Sequence, residues 1–188
     1  IARGDGLCRI GLNRPEALNA WTPEMGRSLL GAIRHASEDR DVRAILFTGA
    51  GRAFCAGADL SVSRESMPGG EPDLSTRLRE IYNPVVLAVA NAPKPVIAAV
   101  HGAAAGLGAS LALACDLIVC AESAYFLLAF VRLGLIADAG SAYMLAVRVG
   151  YGRAAELAML GERLPAARAF EWGVVNEVLP KDQLLERA

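Results

Sequence analysis

Two glycine-containing segments of this 188-residue sequence have a form that a protein core does not require. In residues 53–60, Gly57 permits a positive φ or a close approach of the backbone to a ligand. In residues 101–110, alternating glycines precede an apolar helix, so unpaired amides and the positive end of the helix dipole face outward. If the two segments converge, their amides form an oxyanion hole, in which each donor contributes about 2.7–4 kcal/mol.

Each glycine segment alone also fits close packing between a helix and a strand, and the sequence leaves that interpretation open. The pattern GxGxxG is not matched after Gly106, which disfavours a dinucleotide site. Nearby polar residues have structural interpretations as well. We expect Asp59 to fix its turn or the ligand loop, Cys55 to fill apolar space, and His35 and His101 to be structural or solvated. Ser110 is not predicted to be a nucleophile, because no histidine is placed to activate it.

The composition excludes several classes of protein. With 54% hydrophobic residues and a net charge of -1, the chain is predicted to be one folded domain that binds neither nucleic acid nor a polyanion. Four cysteines without CxxC spacing and two histidines predict no metal site and no disulfide framework. We expect four reduced thiols in a cytoplasmic protein. No export signal is evident, and His101 and Asp116 interrupt the apolar stretch 96–121, which predicts no membrane span.

Alternating strands and helices position these segments. Thr22, Pro23 and Glu24 predict a helix start, and Asp73 can cap a second helix that Pro84 kinks or restarts. A surface loop, which could act as a lid, is predicted at 61–71. Strands are predicted at 7–12, 42–48, 96–100, 117–121 and 174–179, and an extended piece at 124–128. Helices are predicted from 22 to about 39–41, from 73 to an end marked by 92–95, at 109–115, 141–149, 153–160 and 164–172, and from 181.

Five ordered segments, 12–20, 53–60, 95–116, 133–140 and 171–175, resemble the enoyl-CoA hydratase/isomerase (crotonase) family over nearly the whole chain. Segments 82–84, 102–106 and 129–138 are most similar to its ring-1,2-epoxyphenylacetyl-CoA isomerase type. The resemblance implies an α/β fold with a crotonase-like ββα spiral core at 1–180. It also implies that 181–188 begin a C-terminal helical region largely absent from this chain. Family members form homotrimers or dimers of trimers.

The resemblance implies binding of an acyl-CoA thioester, whose enolate is stabilised by the backbone amides of Ala58 and Leu107. Coenzyme A arrives as part of the substrate, and no cofactor or metal is implied. The remaining residues that the resemblance assigns to substrate or CoA binding are Glu16, Ala17, Leu18, Ala56, Gly57, Asp59, Leu60, Gly106 and Phe130.

Hydratases of the family use two glutamates, and the corresponding positions here are Ser110 and Phe130. Neither residue exchanges a proton at neutral pH, so the resemblance favours an isomerase in which Asp138 transfers protons. Apolar neighbours would raise the pKa of a buried Asp138. Alternatively, Asp138 caps a helix that begins at Ala139, which would lower its pKa. Two other functions stay open: a hydratase of the same fold that uses Asp138 with a water held by Ser110, and a non-catalytic acyl-CoA-binding protein.

Overall fold

The computed structural model describes residues 1–62, 70, 73 and 75–188. Most of the loop predicted at 61–71 lies outside these residues. The elements follow in the order β1 (Ala2–Gly4), β2 (Leu7–Leu12), α1 (Pro23–Glu38), β3 (Ala44–Gly49), α2 (Ser75–Arg77), α3 (Asn83–Ala90), β4 (Val96–Val100), β5 (Ala103–Ala105), α4 (Leu107–Ala114), β6 (Leu117–Ala121), β7 (Tyr125–Leu127), α5 (Ser141–Val149), α6 (Tyr151–Leu160), β8 (Leu164–Pro165), α7 (Ala166–Glu171), β9 (Glu177–Leu179) and α8 (Leu184–Arg187).

Two sheets organise the α/β fold. The larger has the strand order β1-β2-β3-β4-β6-β9, in which only the pairing of β1 with β2 is antiparallel. The smaller has the order β5-β7-β8. An isolated bridge between Cys55 and Ala104 joins the turn after β3 to β5, so both predicted glycine segments meet at the small sheet.

The main core lies between one face of the larger sheet and helices α1, α3 and α4. Its largest fully buried side chains include Trp21, Phe47 and Phe54. All five residues of β4 are buried, as expected for a parallel strand covered on both faces. A second cluster, in which Leu46 and Ile97 contact Leu184 of α8, covers part of the opposite face.

Helix α1 begins and ends where its sequence predicts. The Thr22 hydroxyl accepts a hydrogen bond from the Met25 amide at 3.2 Å, with Pro23 in the first turn. The helix ends at Glu38, and Lys94 Nζ donates to the Ala36 carbonyl in its last turn and to the Asp39 carbonyl just after it. A cation at the helix C-terminus stabilises the dipole.

A π-helical turn, Leu78–Tyr82, lies between α2 and α3. The Asp73 carboxylate caps the start of α2 by accepting from the Ser75 and Thr76 amides at 2.9 and 3.0 Å. Helix α3 then starts at Asn83 with Pro84 in its first turn. Because proline disrupts a continuous helix, Pro84 restarts the helix as predicted.

Several predicted bounds are wrong for identifiable reasons. Helix α4 begins at Leu107, because Gly106 turns the chain at φ +50°. Residues 164–165 are a strand, since Leu164 pairs with Phe126 of β7. Strand β9 starts only at Glu177, because the amides of residues 174 and 175 donate to the Ala169 carbonyl at the end of α7.

The four cysteines are free and buried. Within the described residues, no cluster of three or more His, Cys, Asp or Glu side chains could hold a metal ion. None of the described helices combines the length and apolar content needed to cross a membrane.

Candidate active site

A cavity of about 310 Å³ lies where the two glycine segments meet. Its lining includes most of the residues that the sequence assigned to a site, namely Ala56, Gly57, Ala58, Asp59, Leu60, Gly106, Leu107, Phe130 and Asp138. The other lining residues are Asp73, Arg77, Leu78, Tyr82, Ala129, Arg132, Leu133 and Leu135. The walls are therefore mostly apolar, with charged side chains at a few points.

The two glycine segments are joined through their backbones. The Cys55 amide donates to the Ala103 carbonyl, and the Ala105 amide donates to the Cys55 carbonyl, both at 2.9 Å. Gly108 makes this approach sterically feasible, since a Cβ atom there would lie only 2.8 Å from the Cys55 carbonyl carbon. Glycine at this position thus permits the close packing of the two segments, and this packing forms the cavity.

The amides of Ala58 and Leu107 have no protein acceptor in the described part of the chain. Around Ala58, the other groups are engaged: the Gly57 amide donates to Cys55 Sγ at 3.4 Å, and the Asp59 amide donates to the Trp21 carbonyl at 2.9 Å. Leu107 is the first residue of α4, where helical amides lack intrahelical acceptors. Both residues line the same cavity, so two donors are available to one ligand.

Asn19 is a supporting residue whose role the sequence did not reveal. Its side chain is fully buried and donates to the carbonyls of Ala50, Ala53 and Phe54 at 2.8–3.2 Å. Its carbonyl oxygen accepts from the Arg14 amide. The three bonds that the side chain donates bridge more than thirty residues of sequence, which no local pattern predicts.

The loop carrying Glu16, Ala17 and Leu18 lies beside the cavity and does not line it. The Leu18 carbonyl accepts a hydrogen bond from the Ala56 amide at 3.0 Å, which attaches the loop to the first glycine segment. Glu16 is exposed. A ligand that extends out of the cavity past Ala56 would reach this loop.

Asp138 presents a half-buried carboxyl group to the cavity. Its Oδ1 atom is buried without a hydrogen-bond partner in the described structure, and burial raises its pKa to about 6. The alternative that its side chain caps a helix at Ala139 is wrong. Ala139 and Gly140 have φ angles of +47° and +74°, helix α5 begins at Ser141, and the Asp138 backbone carbonyl accepts from the Ser141 amide.

The other two carboxylates of the cavity lining have the opposite electrostatics. Hydrogen bonds from Ser61 and Arg14 lower the pKa of Asp59, and the Arg14–Asp59 ion pair measures 2.9 Å. Hydrogen bonds from Thr76 and Ser75 lower the pKa of Asp73 to about 2. Both groups are held as anions, and Asp59 fixes its turn as expected.

The positions of the two hydratase glutamates differ in surroundings. Phe130 lines the cavity as an apolar wall. Ser110 is fully buried behind the lining, and its single hydroxyl proton is shared between the Gly106 carbonyl at 3.3 Å and the Asp138 carbonyl at 3.4 Å. In this arrangement the Ser110 hydroxyl is directed at backbone oxygens.

The remaining candidates have structural surroundings, as the sequence suggested. Burial raises the pKa of the Cys55 thiol to about 12, which makes the thiolate scarce at neutral pH. His101 is half-buried with Nε2 3.0 Å from the Gly51 carbonyl, and burial lowers its pKa. His35 is exposed on α1.

Comparison with known proteins gives a consistent assignment. The family model described as enoyl-CoA hydratase/isomerase matches residues 2–188. The chain is 44% identical over 183 residues to the 1,2-epoxyphenylacetyl-CoA isomerase of Escherichia coli (strain K12), covering 97% of the chain and 70% of that protein. It is also 44% identical over 177 residues to a probable enoyl-CoA hydratase of Rhodobacter capsulatus, covering 94% of the chain and 66% of that protein.

Solved structures agree with the sequence comparison. The crystal structure of a putative enoyl-CoA hydratase/isomerase from Mycobacterium abscessus aligns with a TM-score of 0.90 at 36% identity, covering 97% of this chain and 70% of that one. The crystal structure of a monofunctional enoyl-CoA isomerase from M. smegmatis aligns with a TM-score of 0.80 at 36% identity, covering 97% of this chain and 76% of that one. The crotonase-type α/β fold is therefore shared, and the chain belongs to the enoyl-CoA hydratase/isomerase family.

Proposed function

We propose that this chain is an acyl-CoA isomerase in which Asp138 transfers the proton and the Ala58 and Leu107 amides hold the enolate oxygen. The observation that carries the proposal is the contrast among the cavity carboxylates. Asp59 and Asp73 are held as anions by donors, whereas Asp138 has a buried oxygen without a partner in the described structure and a pKa raised to about 6. A group with a pKa near the working pH is suited to both accept and return a proton.

In the proposed reaction, the Asp138 carboxylate removes a proton from the carbon α to the thioester carbonyl, or from the γ carbon of an unsaturated chain. The negative charge moves to the thioester oxygen, where two amide donors stabilise it. Protonated Asp138 then returns the proton to a different carbon. One carboxylate completes this cycle, and water does not enter the product.

Isomerisation is favoured over hydration by the surroundings of residues 110 and 130. Hydration requires a group that activates water, and Phe130 supplies none. Because the Ser110 hydroxyl donates to two backbone carbonyls behind the cavity, it is poorly placed to hold a water against the substrate. Hydratase chemistry keeps some support, since a relative named as a probable enoyl-CoA hydratase is 44% identical.

The acyl group is proposed to be an epoxidised aryl-acetyl or an unsaturated acyl group. The relative named 1,2-epoxyphenylacetyl-CoA isomerase and the neighbour named enoyl-CoA isomerase support these two classes. The mostly apolar walls, with Leu78, Tyr82 and Phe130 among them, suit either group. Coenzyme A enters as part of the substrate.

The test compares the protein with Asp138→Asn in deuterated, ¹⁸O-labelled water. A 3-enoyl-CoA, a 2-enoyl-CoA and epoxyphenylacetyl-CoA are offered, and products are analysed by mass spectrometry. We expect isomerised product without ¹⁸O, and a loss of about 10²–10⁴-fold in kcat/KM for Asp138→Asn. The acidic limb of kcat/KM should lie near pH 6, since the proton-accepting form is lost below the pKa of Asp138.

Asp73→Asn is the matched control. It removes another carboxylate from the same cavity lining while keeping a residue that can cap a helix. It should retain turnover within about threefold. Undiminished turnover in Asp138→Asn would contradict the assignment of Asp138. A ¹⁸O-labelled hydroxyl on the 2-enoyl chain would identify a hydratase, and tight binding with no product would favour an acyl-CoA-binding protein.

A further inference from the structure

The backbone carbonyl of Asp138 accepts from three donors on two helices. The Ser141 amide and hydroxyl lie at 2.9 and 2.7 Å, and the Ser110 hydroxyl lies at 3.4 Å. Both serine side chains belong to fully buried residues. This carbonyl is therefore a partly buried junction between α4, which carries Ser110, and α5, which begins with Ser141.

The junction connects the two proposed parts of the site. Helix α4 begins with Leu107, so Ser110 lies three residues, or nearly one helical turn, after the proposed oxyanion amide. The same Ser110 proton is shared with the Gly106 carbonyl at the start of that helix, 3.3 Å from the hydroxyl oxygen. The Asp138 backbone is thus bonded to the same helix end that carries the Leu107 amide.

The chain after Asp138 has a strained backbone, although the Ala139 side chain is packed in the main core. Ala139 and Gly140 both have positive φ angles, a conformation that costs alanine of order 1 kcal/mol. Surrounding contacts must hold such a segment in place. Among the described residues, the carboxyl oxygen Oδ1 has no hydrogen bond that could orient the side chain instead.

We propose that Ser110 and Ser141 are positioning residues, whose hydroxyls fix the Asp138 backbone between α4 and α5 and thereby hold its carboxyl group in the cavity beside the Leu107 amide. This proposal rests on the proposed function for its catalytic consequence. A hydroxyl at the start of a helix commonly bonds a nearby carbonyl for local reasons, which would account for Ser141. The convergence of Ser110 from a different helix on the same oxygen is what a local motif does not explain.

A change in the pKa of Asp138 is interpreted against the charged and titratable groups that share its cavity. The other titratable or charged side chains of the cavity lining are Asp59, Asp73, Arg77, Tyr82 and Arg132. The pKa of Asp138 is raised by burial. A displacement of the carboxyl group toward water should consequently lower this pKa toward the ordinary aspartate value of about 3.9.

The experiment measures the Asp138 carboxyl directly by ¹³C NMR of protein labelled at aspartate Cγ, with its signal assigned by Asp138→Asn. Titrations are compared for the unsubstituted protein, Ser141→Ala, Ser110→Ala and Cys115→Ala. The last is a matched control, because Cys115 is buried at the other end of α4 and its thiol donates to the Leu111 carbonyl. Isomerase kcat and KM are measured on the same samples.

We expect Ser141→Ala to lower the Asp138 pKa by about 1 and kcat by about tenfold, with KM within about twofold. Ser110→Ala should lower this pKa by a smaller amount, since its bond is longer. Cys115→Ala should lower stability and leave the pKa and kcat unchanged. If Ser141→Ala does not fold, the pKa measured in Ser110→Ala decides the question.

An Asp138 pKa within about 0.3 of the unsubstituted value and kcat within about twofold in both serine variants would overturn the positioning role. Loss of turnover in Asp138→Asn together with that result would overturn this inference alone. A displaced pKa in Ser141→Ala with normal turnover in Asp138→Asn would overturn the proposed function alone, because the NMR measurement does not depend on activity.

Discussion

At the residue scale, Asp138 carries a free-energy cost that the other cavity carboxylates avoid. Burial without a donor among the described residues disfavours its anion, and this raises its pKa from the 3.8 of a free aspartate to about 6. A difference of 1 in pKa corresponds to about 1.4 kcal/mol between the two protonation states. An acid whose folded pKa is raised adds stability below its unfolded pKa, and this contribution is lost as pH rises through the folded value.

Asp138→Asn should therefore stabilise the protein at pH 8 by about 1–2 kcal/mol, because it removes a half-buried carboxylate whose charge is only partly screened by solvent. The gain should shrink as pH falls through 6 and largely disappear near pH 4. Urea denaturation at several pH values measures it. Asp73→Asn is the control of opposite sign: donors lower the pKa of Asp73, so this variant should lose stability at neutral pH. Equal effects of Asp138→Asn at pH 4 and pH 8 would contradict the raised pKa.

At the element scale, the cavity depends on the approach of α4 to the turn after β3. Gly108 permits that approach, and the backbone bonds of Cys55 to β5 maintain it. The two proposed oxyanion donors belong to these two elements. Their separation is consequently set by the backbone contact between these two elements.

Gly108→Ala should push α4 away from Cys55, because the added Cβ meets backbone atoms that cannot move independently. We expect a loss of about 10–100-fold in kcat/KM and of about 1–3 kcal/mol in stability. Gly31→Ala is the matched control in α1, since nothing lies within 4 Å of its added Cβ. That variant should be neutral or more stable by up to about 1 kcal/mol. Unchanged turnover in Gly108→Ala would show that this contact does not set the donor geometry.

The sequence predicted elements where the signal is local. The cap at Thr22, the cap at Asp73 and the restart at Pro84 each depend on residues within one or two turns. The buried contacts of Asn19 and the π-turn at Leu78–Tyr82 were not predicted. The Asn19 contacts depend on carbonyls that are distant in sequence. The π-turn adds one residue to a helical turn and leaves the apolar pattern of the sequence unchanged.

At the scale of the whole molecule, the four thiols report on the integrity of the core. Cys8, Cys55, Cys115 and Cys120 are at most 1% exposed, and burial raises the pKa of Cys55 and Cys120 to about 12. The composition predicted reduced thiols, and the structure adds that all four are inaccessible.

The family motifs predicted most of the residues that line the cavity. The surroundings of the Asp138 carboxyl group could not be predicted in this way, because they depend on three-dimensional packing.

Ellman's reagent should label none of the four thiols rapidly in the folded protein and all four in denaturant, since reaction requires an accessible thiolate. Ser28→Cys, which places a thiol on the exposed face of α1, is the positive control and should react at once. Rapid labelling of any native cysteine in the unsubstituted protein would contradict this core.

In the π-turn before α3, the number of residues, rather than their identity, determines which side chains face the cavity. Each residue of an α-helix advances the azimuth by about 100°, so one extra residue turns Arg77 and Leu78 by about that angle relative to Val85 and Val89. Both residues line the cavity, and Leu78 also packs against the core. Substitutions leave that angle unchanged. A single deletion within the turn would rotate the part of the helix that lines the cavity, while the part that faces the core stays packed. Such a variant should lose acyl-CoA affinity and keep its thermal stability, so both are measured on the same protein.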